Sequence, residues 1–120
     1  MQGVTPARPV LVVEDDAGLR AYLSVILEQQ GYRVIAAASG EEALAALGSE
    51  QAILAVLDVG LPGMDGFAVA EHLTNDVPVI VVTGDPLKAK MRAFGRTKPL
   101  QILAKPVTQE QFQAALQAAM

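Results

Sequence analysis

Ile53-Leu54-Ala55-Val56-Leu57-Asp58-Val59-Gly60-Leu61-Pro62-Gly63-Met64-Asp65-Gly66 joins an unbroken aliphatic run, a carboxylate at its end, and a segment rich in proline and glycine. An aliphatic run without alternation is what a strand covered on both faces requires, because both sides of its pleat meet apolar neighbours. The Pro and Gly content of Leu61 to Gly66 marks a loop. Asp58 is therefore placed at the carboxyl end of a buried strand.

The pattern repeats outward in both directions. Val10 to Val13 is a similar run and ends in Glu14, Asp15 and Asp16. Leu19, Tyr22, Leu23, Ile26 and Leu27 then recur at intervals of three and four, the apolar stripe of a first helix. Asp16 is suited to cap its start and Gly31 to stop it. Arg33 to Ala37 reads as the second strand. Ser39 and Glu42 have capping-box spacing for a helix carrying Ala43, Leu44 and Leu47, closed by Gly48.

Downstream, a third helix with Phe67, Ala70 and Leu73 facing inward leads to a fourth strand, Val79 to Val82, ended by Thr83 and Gly84. Pro86 suits the first turn of a fourth helix, where its missing N–H has no partner to lose. Leu87, Met91 and Phe94 share one face of that helix, and Gly95 ends it. Leu100 to Ala104 is a fifth strand interrupted by Gln101 and followed by Lys105-Pro106. Thr108 and Gln111 can cap a last helix carrying Phe112, Ala115, Leu116 and Ala119.

Strands alternating with helices are the mark of an α/β fold, a parallel sheet wrapped by helices. With 120 residues, 52% of them apolar, the chain suits one domain over 1–120, with 1–8 expected as a flexible N-terminal tail. The absence of cysteine excludes disulfides and thiolate metal sites. No secretion signal opens the chain, and no run approaches the roughly 18 apolar residues of a membrane span, so a cytoplasmic protein is expected. A net charge of −4 speaks against direct nucleic-acid binding. Lys88, Lys90, Arg92, Arg96, Lys98 and Lys105 form a basic stretch, with no acid between Asp85 and Glu110. His72, beside Glu71, has no second metal-type ligand nearby and is given no role.

In open parallel sheets ligands bind beyond the strand carboxyl ends, and right-handed crossovers would place Glu14, Asp15, Asp58, Thr83 and Lys105 on that one rim. Three carboxylates together repel, and a divalent cation removes the conflict. All-oxygen donors point to a hard ion such as Mg²⁺. A metal and a lysine around a carboxylate also meet the needs of phosphoryl transfer, and carboxylates can accept a phosphoryl group as nucleophiles.

With Val12-Val13-Glu14-Asp15-Asp16, Leu57-Asp58 and its Leu61 to Gly66 loop, Val82-Thr83-Gly84 and Ala104-Lys105-Pro106 in order, the chain resembles the receiver domains of response regulators in two-component signal transduction, from Val10 to Ala119. The resemblance implies a flavodoxin-like, doubly wound five-stranded parallel sheet in the order 2-1-3-4-5 with five helices. It implies Asp58 as phosphoacceptor, Asp15 as direct metal ligand, Glu14 as a ligand through water, and the Gly60 backbone carbonyl as a further donor to Mg²⁺. Thr83 becomes the switch hydroxyl, Lys105 the partner of carboxylate and phosphoryl group, and Lys105-Pro106 a cis bond. Gly60 and Asp85 fall at variable positions where phosphoryl lifetime is tuned.

One departure is Ile102, where the family often has an aromatic residue that moves with the switch. The implied phosphoryl donor is a histidine kinase or phosphotransfer protein. The fourth helix, fifth strand and fifth helix are the implied surface for self-association or an output partner. The resemblance suits a free-standing receiver or one joined to a hybrid kinase or larger regulator. A receiver acts as an enzyme only on its own phosphorylation and dephosphorylation. Two other readings compete: an interaction module that works without phosphorylation, and an aspartate-nucleophile phosphatase. The phosphatase would want Asp-x-Asp after the first strand, where this chain has Glu14-Asp15-Asp16.

Overall fold

A computed structural model describes residues 7–60, 66–74, 76–93 and 100–120. The expectations for Leu61 to Asp65, Phe94, Gly95, Arg96 and Lys98 lie outside these residues, as does most of the N-terminal tail. The strands are β1 (Val10–Val13), β2 (Val34–Ala37), β3 (Leu54–Leu57), β4 (Val79–Thr83) and β5 (Leu100–Ala104). The helices are α1 (Ala17–Gln29), α2 (Gly40–Leu47), α3 (Gly66–Glu71), α4 (Pro86–Ala93) and α5 (Gln109–Ala119). All strand pairs are parallel, in the order β2-β1-β3-β4-β5. This is the flavodoxin-like arrangement that the resemblance implies.

Strand periodicity divides the core into two layers. Leu11, Val13, Ala55, Leu57, Val79 and Val81 point to one face and pack with Ala43 and Leu47 of α2, Val69 and Ala70 of α3, and Ala89 of α4. Their chain neighbours Val10, Val12, Leu54, Val56, Ile80 and Val82 point to the other face, against Leu23, Ile26 and Leu27 of α1 and Phe112, Ala115 and Leu116 of α5. Every residue of β1, β3 and β4 is buried, which accounts for their continuous aliphatic character. Edge strand β5 is only partly buried. Its Gln101 is explained by a bond from Nε2 to the carbonyl of Ala115, 2.8 Å away, which ties β5 to α5.

Helix ends follow the expected chemistry with one shortfall. Asp16 caps α1, its Oδ1 accepting the Leu19 N–H at 2.9 Å. Gly31, at φ 93, ends α1 in a left-handed turn in which the N–H groups of Gly31 and Tyr32 donate to the carbonyls of Glu28 and Leu27. Thr108 and Gln111 complete a reciprocal capping box on α5. At α2, Ser39 accepts the Glu42 N–H, but the Glu42 carboxylate reaches the N–H of Ala38 rather than that of Ser39, so the box is half formed.

Two apolar stripes turn partly or wholly to solvent. Tyr22 belongs to the α1 stripe by spacing yet is 40% exposed, because the contact face centres on Leu23, Ile26 and Leu27. In α4, Leu87 and Met91 do share a face, but it is turned to solvent, at 69% and 71% exposure. Among the described side chains of that helix, Ala89 is the fully buried one. At the amino ends of β1, β2 and β3, Arg8 donates to the carbonyls of Gln51 and Ala52, and Arg33 donates to that of Ala7.

Candidate functional site

The site lies where the ends of β1 and β3 adjoin, the point at which strand order reverses. The ladder runs one residue past each strand: Glu14 N–H donates to Ala37 O at 3.1 Å, and Asp58 N–H to Val13 O at 3.0 Å. These bonds hold both acids against the sheet. Glu14 is 1% exposed and Asp58 7%, whereas Asp15 faces solvent. One carboxylate oxygen from each of Glu14, Asp15 and Asp58 lies within 4.8 Å of the others.

From the far side, β5 delivers Lys105, whose N–H bonds Thr83 O at 2.8 Å. Its Nζ donates to Asp58 Oδ2 at 2.9 Å and lies 3.0 Å from Glu14 Oε1. The other oxygen of Asp58, Oδ1, accepts the Gly60 N–H at 2.8 Å. Glu14 Oε2 accepts the Asp16 N–H at 3.0 Å, and the Glu14 carbonyl accepts a bond from Arg20 Nη1 at 2.9 Å. Glu14 Oε1 is buried and, although ion-paired with Lys105, has no aligned hydrogen bond.

The electrostatics follow from burial. Desolvation pushes the Glu14 carboxyl above its ordinary range, with Asp15 and Asp58 adding to the rise; the Asp16 N–H and Lys105 oppose it without cancelling it. Burial pulls Lys105 downward, but its bonds to Asp58 and Glu14 outweigh that, and its ammonium is held above its ordinary value. One ammonium thus faces three carboxylates. A buried Glu14 oxygen that has the Lys105 ion pair but no aligned hydrogen bond, and an all-oxygen donor set without His or Cys, fit a hard divalent cation at Glu14, Asp15 and Asp58.

Glu14, Asp15, Asp58 and Lys105 are therefore brought together as the sequence expects. Thr83 stands in the wall of the same cleft, a hollow of about 370 Å³ bounded also by Gly60, Gly84, Asp85 and Lys88. Its hydroxyl accepts the Asp85 N–H at 3.0 Å. The Lys105-Pro106 bond is cis. Ile102 pairs in register with Val81 and packs, partly buried, against the α2-α3-α4 layer. His72 is exposed, with Nδ1 2.9 Å from Ala68 O, and among the described residues it is not part of the Glu14-Asp15-Asp58 group.

Two contributors carry no role in the sequence reading. A Cβ on Gly66 would lie 2.6 Å from Asp58 O, so only glycine lets α3 start against the backbone of Asp58. The glycine is visible in the loop, but its close approach is not. Arg20, which holds the Glu14 carbonyl, gives no local signal at all.

Residues 10–117 match the family model for the response regulator receiver domain. The chain belongs to the response regulator receiver family. It is 45% identical over 76 residues to the transcriptional regulatory protein AfsQ1 of Streptomyces coelicolor, a match covering 62% of this chain and 34% of AfsQ1. The chain spans about a third of the length of the first curated relatives it matches. Among solved structures, the receiver fold is shared with the chemotaxis protein CheY4 of Vibrio cholerae at a TM-score of 0.82 and 27% identity, over 96% of this chain and 100% of that one. The receiver domain of the sensor histidine kinase PA1611 from Pseudomonas aeruginosa, solved with a magnesium ion coordinated in its active site cleft, superposes at 0.76 with 25% identity, over 94% and 97%. Receiver domains work with histidine kinases in two-component signalling. Among the described residues no helix is long and apolar enough to cross a membrane.

Proposed function

We propose that this receiver is a phosphoacceptor switch in which Asp58 takes a phosphoryl group from the phosphohistidine of a histidine kinase or phosphotransfer protein, with Mg²⁺ as cofactor. The observation that carries this reading is the Asp58 carboxylate held between Lys105 Nζ at 2.9 Å and the Glu14-Asp15 pair. The Gly60 N–H and Lys105 together fix the plane of the Asp58 carboxylate, which orients it as a nucleophile and lowers the entropy cost of attack. In the transfer, the N–P bond of the donor breaks, an O–P bond to Asp58 forms, and the histidine departs as imidazole. Lys105 is placed to pass from the carboxylate to a phosphoryl oxygen, and the Thr83 hydroxyl to donate to another.

Asp15 directly, Glu14 through water, Asp58, and the Gly60 carbonyl are the groups that would hold Mg²⁺, which when bound supplies charge neutralisation at the phosphoryl oxygens. The all-oxygen donor set and the magnesium seen in the similar PA1611 receiver support that assignment. The chain acts on no second substrate and catalyses only its own phosphorylation and slow dephosphorylation. It works in the cytoplasm, with output through α4, β5 and α5.

Incubation with acetyl phosphate and Mg²⁺ is expected to add one acid-stable, alkali-labile phosphoryl group, detected by intact mass, and Asp58→Asn is expected to add none. Equal labelling of Asp58→Asn would refute the assignment.

A further inference from the structure

Arg20 closes the first turn of α1, and its Nη1 donates to the Glu14 carbonyl at 2.9 Å. Among the described residues its guanidinium pairs with no carboxylate, although Glu14, Asp15 and Asp58 meet at that end of the sheet. A cation near a helix N-terminus is opposed by the helix dipole, so local preference does not account for it. Helical side chains lean toward the N-terminus of their helix, which carries this guanidinium back to the strand end.

The bond falls where the sheet stops. The Glu14 N–H still donates to Ala37 O of β2, but the chain then turns into α2 at its cap, Ser39. The Glu14 carbonyl is left without a strand partner and takes Arg20 instead. That carbonyl and the Asp15 N–H lie in one rigid peptide plane. The next plane is held as well, because the Asp16 N–H donates to Glu14 Oε2 at 3.0 Å. Both peptide groups flanking Asp15 are therefore tied, and they set the direction in which its exposed side chain leaves the backbone.

Mg²⁺ demands near-ideal octahedral geometry, whereas Ca²⁺ accepts more ligands in a looser arrangement. A ligand whose backbone is fixed on both sides favours the stricter ion. We propose that Arg20 is a positioning residue of the metal site: by holding the Glu14 carbonyl it fixes the approach of Asp15 to the ion and so favours Mg²⁺ over a larger divalent cation. The inference rests on the assignment of Mg²⁺ to Glu14, Asp15 and Asp58.

The test titrates the full chain with Mg²⁺ and, separately, with Ca²⁺, following backbone amide NMR shifts in the wild type, Arg20→Met and Arg33→Met. Loss of a positive charge beside three carboxylates would by itself tighten both ions alike. Loss of positioning is instead expected to weaken Mg²⁺ about tenfold and Ca²⁺ by less than about threefold, so the preference for Mg²⁺ falls. Arg33→Met removes an arginine bonded to Ala7 O at the amino ends of the strands and is expected to leave both affinities unchanged. Arg20→Gln is read in the same way if the amide spectrum shows Arg20→Met unfolded. Both ions shifting by the same factor in either direction, or an unchanged Mg²⁺ affinity, overturns the proposal alone. A wild type that binds no Mg²⁺ at millimolar concentration overturns the metal assignment and this proposal with it.

Discussion

The two halves of the site are built differently. Glu14, Asp15 and Asp58 extend strands β1 and β3, in which every residue is buried and which pair with a strand on either side. Thr83 and Lys105 join β4 to the edge strand β5, only partly buried, and to the start of α4, where Ala89 is buried while Leu87 and Met91 are exposed. Local opening is least costly where buried contacts are few. The acids are therefore fixed in advance, and the hydroxyl and ammonium sit where a rearrangement disturbs least.

Adding one methyl group to each half should break this symmetry of appearance most strongly. Gly66→Ala forces α3 away from the Asp58 backbone, since its Cβ would meet Asp58 O at 2.6 Å, and is expected to lower stability by ~1–3 kcal/mol in urea unfolding and to slow labelling by acetyl phosphate. Gly84→Ala, on the other half, meets nothing within 4 Å and is expected to change stability by no more than ~0.5 kcal/mol. Equal losses from the two substitutions would mean that the halves do not differ in rigidity.

A smaller effect sharpens the electrostatic side of the contrast. Glu14 binds its proton more tightly folded than unfolded. Its contribution is thus fully present below its ordinary value of 4.5 and is lost as pH rises through the raised folded value. Lys105, also raised, keeps its contribution up to its ordinary 10.5 and loses it only above. Metal-free unfolding measured from pH 4 to 8 should accordingly show Glu14→Gln gaining stability over the wild type as pH increases. The same variant should bind Mg²⁺ about tenfold or more weakly, as expected when a partner of the coordination shell is lost. A gap between the two proteins that does not grow with pH would remove burial of Glu14 as the source of strain.

Much of this architecture was legible in the residues, and the exceptions have physical reasons. Val10 to Val13 and Ile53 to Leu57 declare buried parallel strands because only such strands tolerate apolar side chains on both faces. Once those strands are parallel neighbours, their terminal acids must share an edge, so Glu14, Asp15 and Asp58 could be grouped without coordinates. Periodicity says that Leu87 and Met91 share a face, but not that the face turns outward; among the described side chains of α4 it is Ala89 that is buried. Close approaches of backbone, such as Gly66 on Asp58, and long-range ties, such as Arg20 to Glu14 O, depend on tertiary placement and leave no spacing to read. Gly60 illustrates the same limit: the resemblance implies its carbonyl, while the structure adds its N–H bond to Asp58 Oδ1.

The central claim is that these groups surround a phosphoryl group on Asp58. The most direct measurement is the crystal structure of the chain with Mg²⁺ and beryllofluoride. The expected result is beryllofluoride on the Asp58 carboxylate, with Lys105 Nζ and Thr83 Oγ1 each in hydrogen-bond contact with its fluorides. Beryllofluoride bound away from Asp58, or on Asp58 with both Lys105 and Thr83 still in their present bonds, would contradict it.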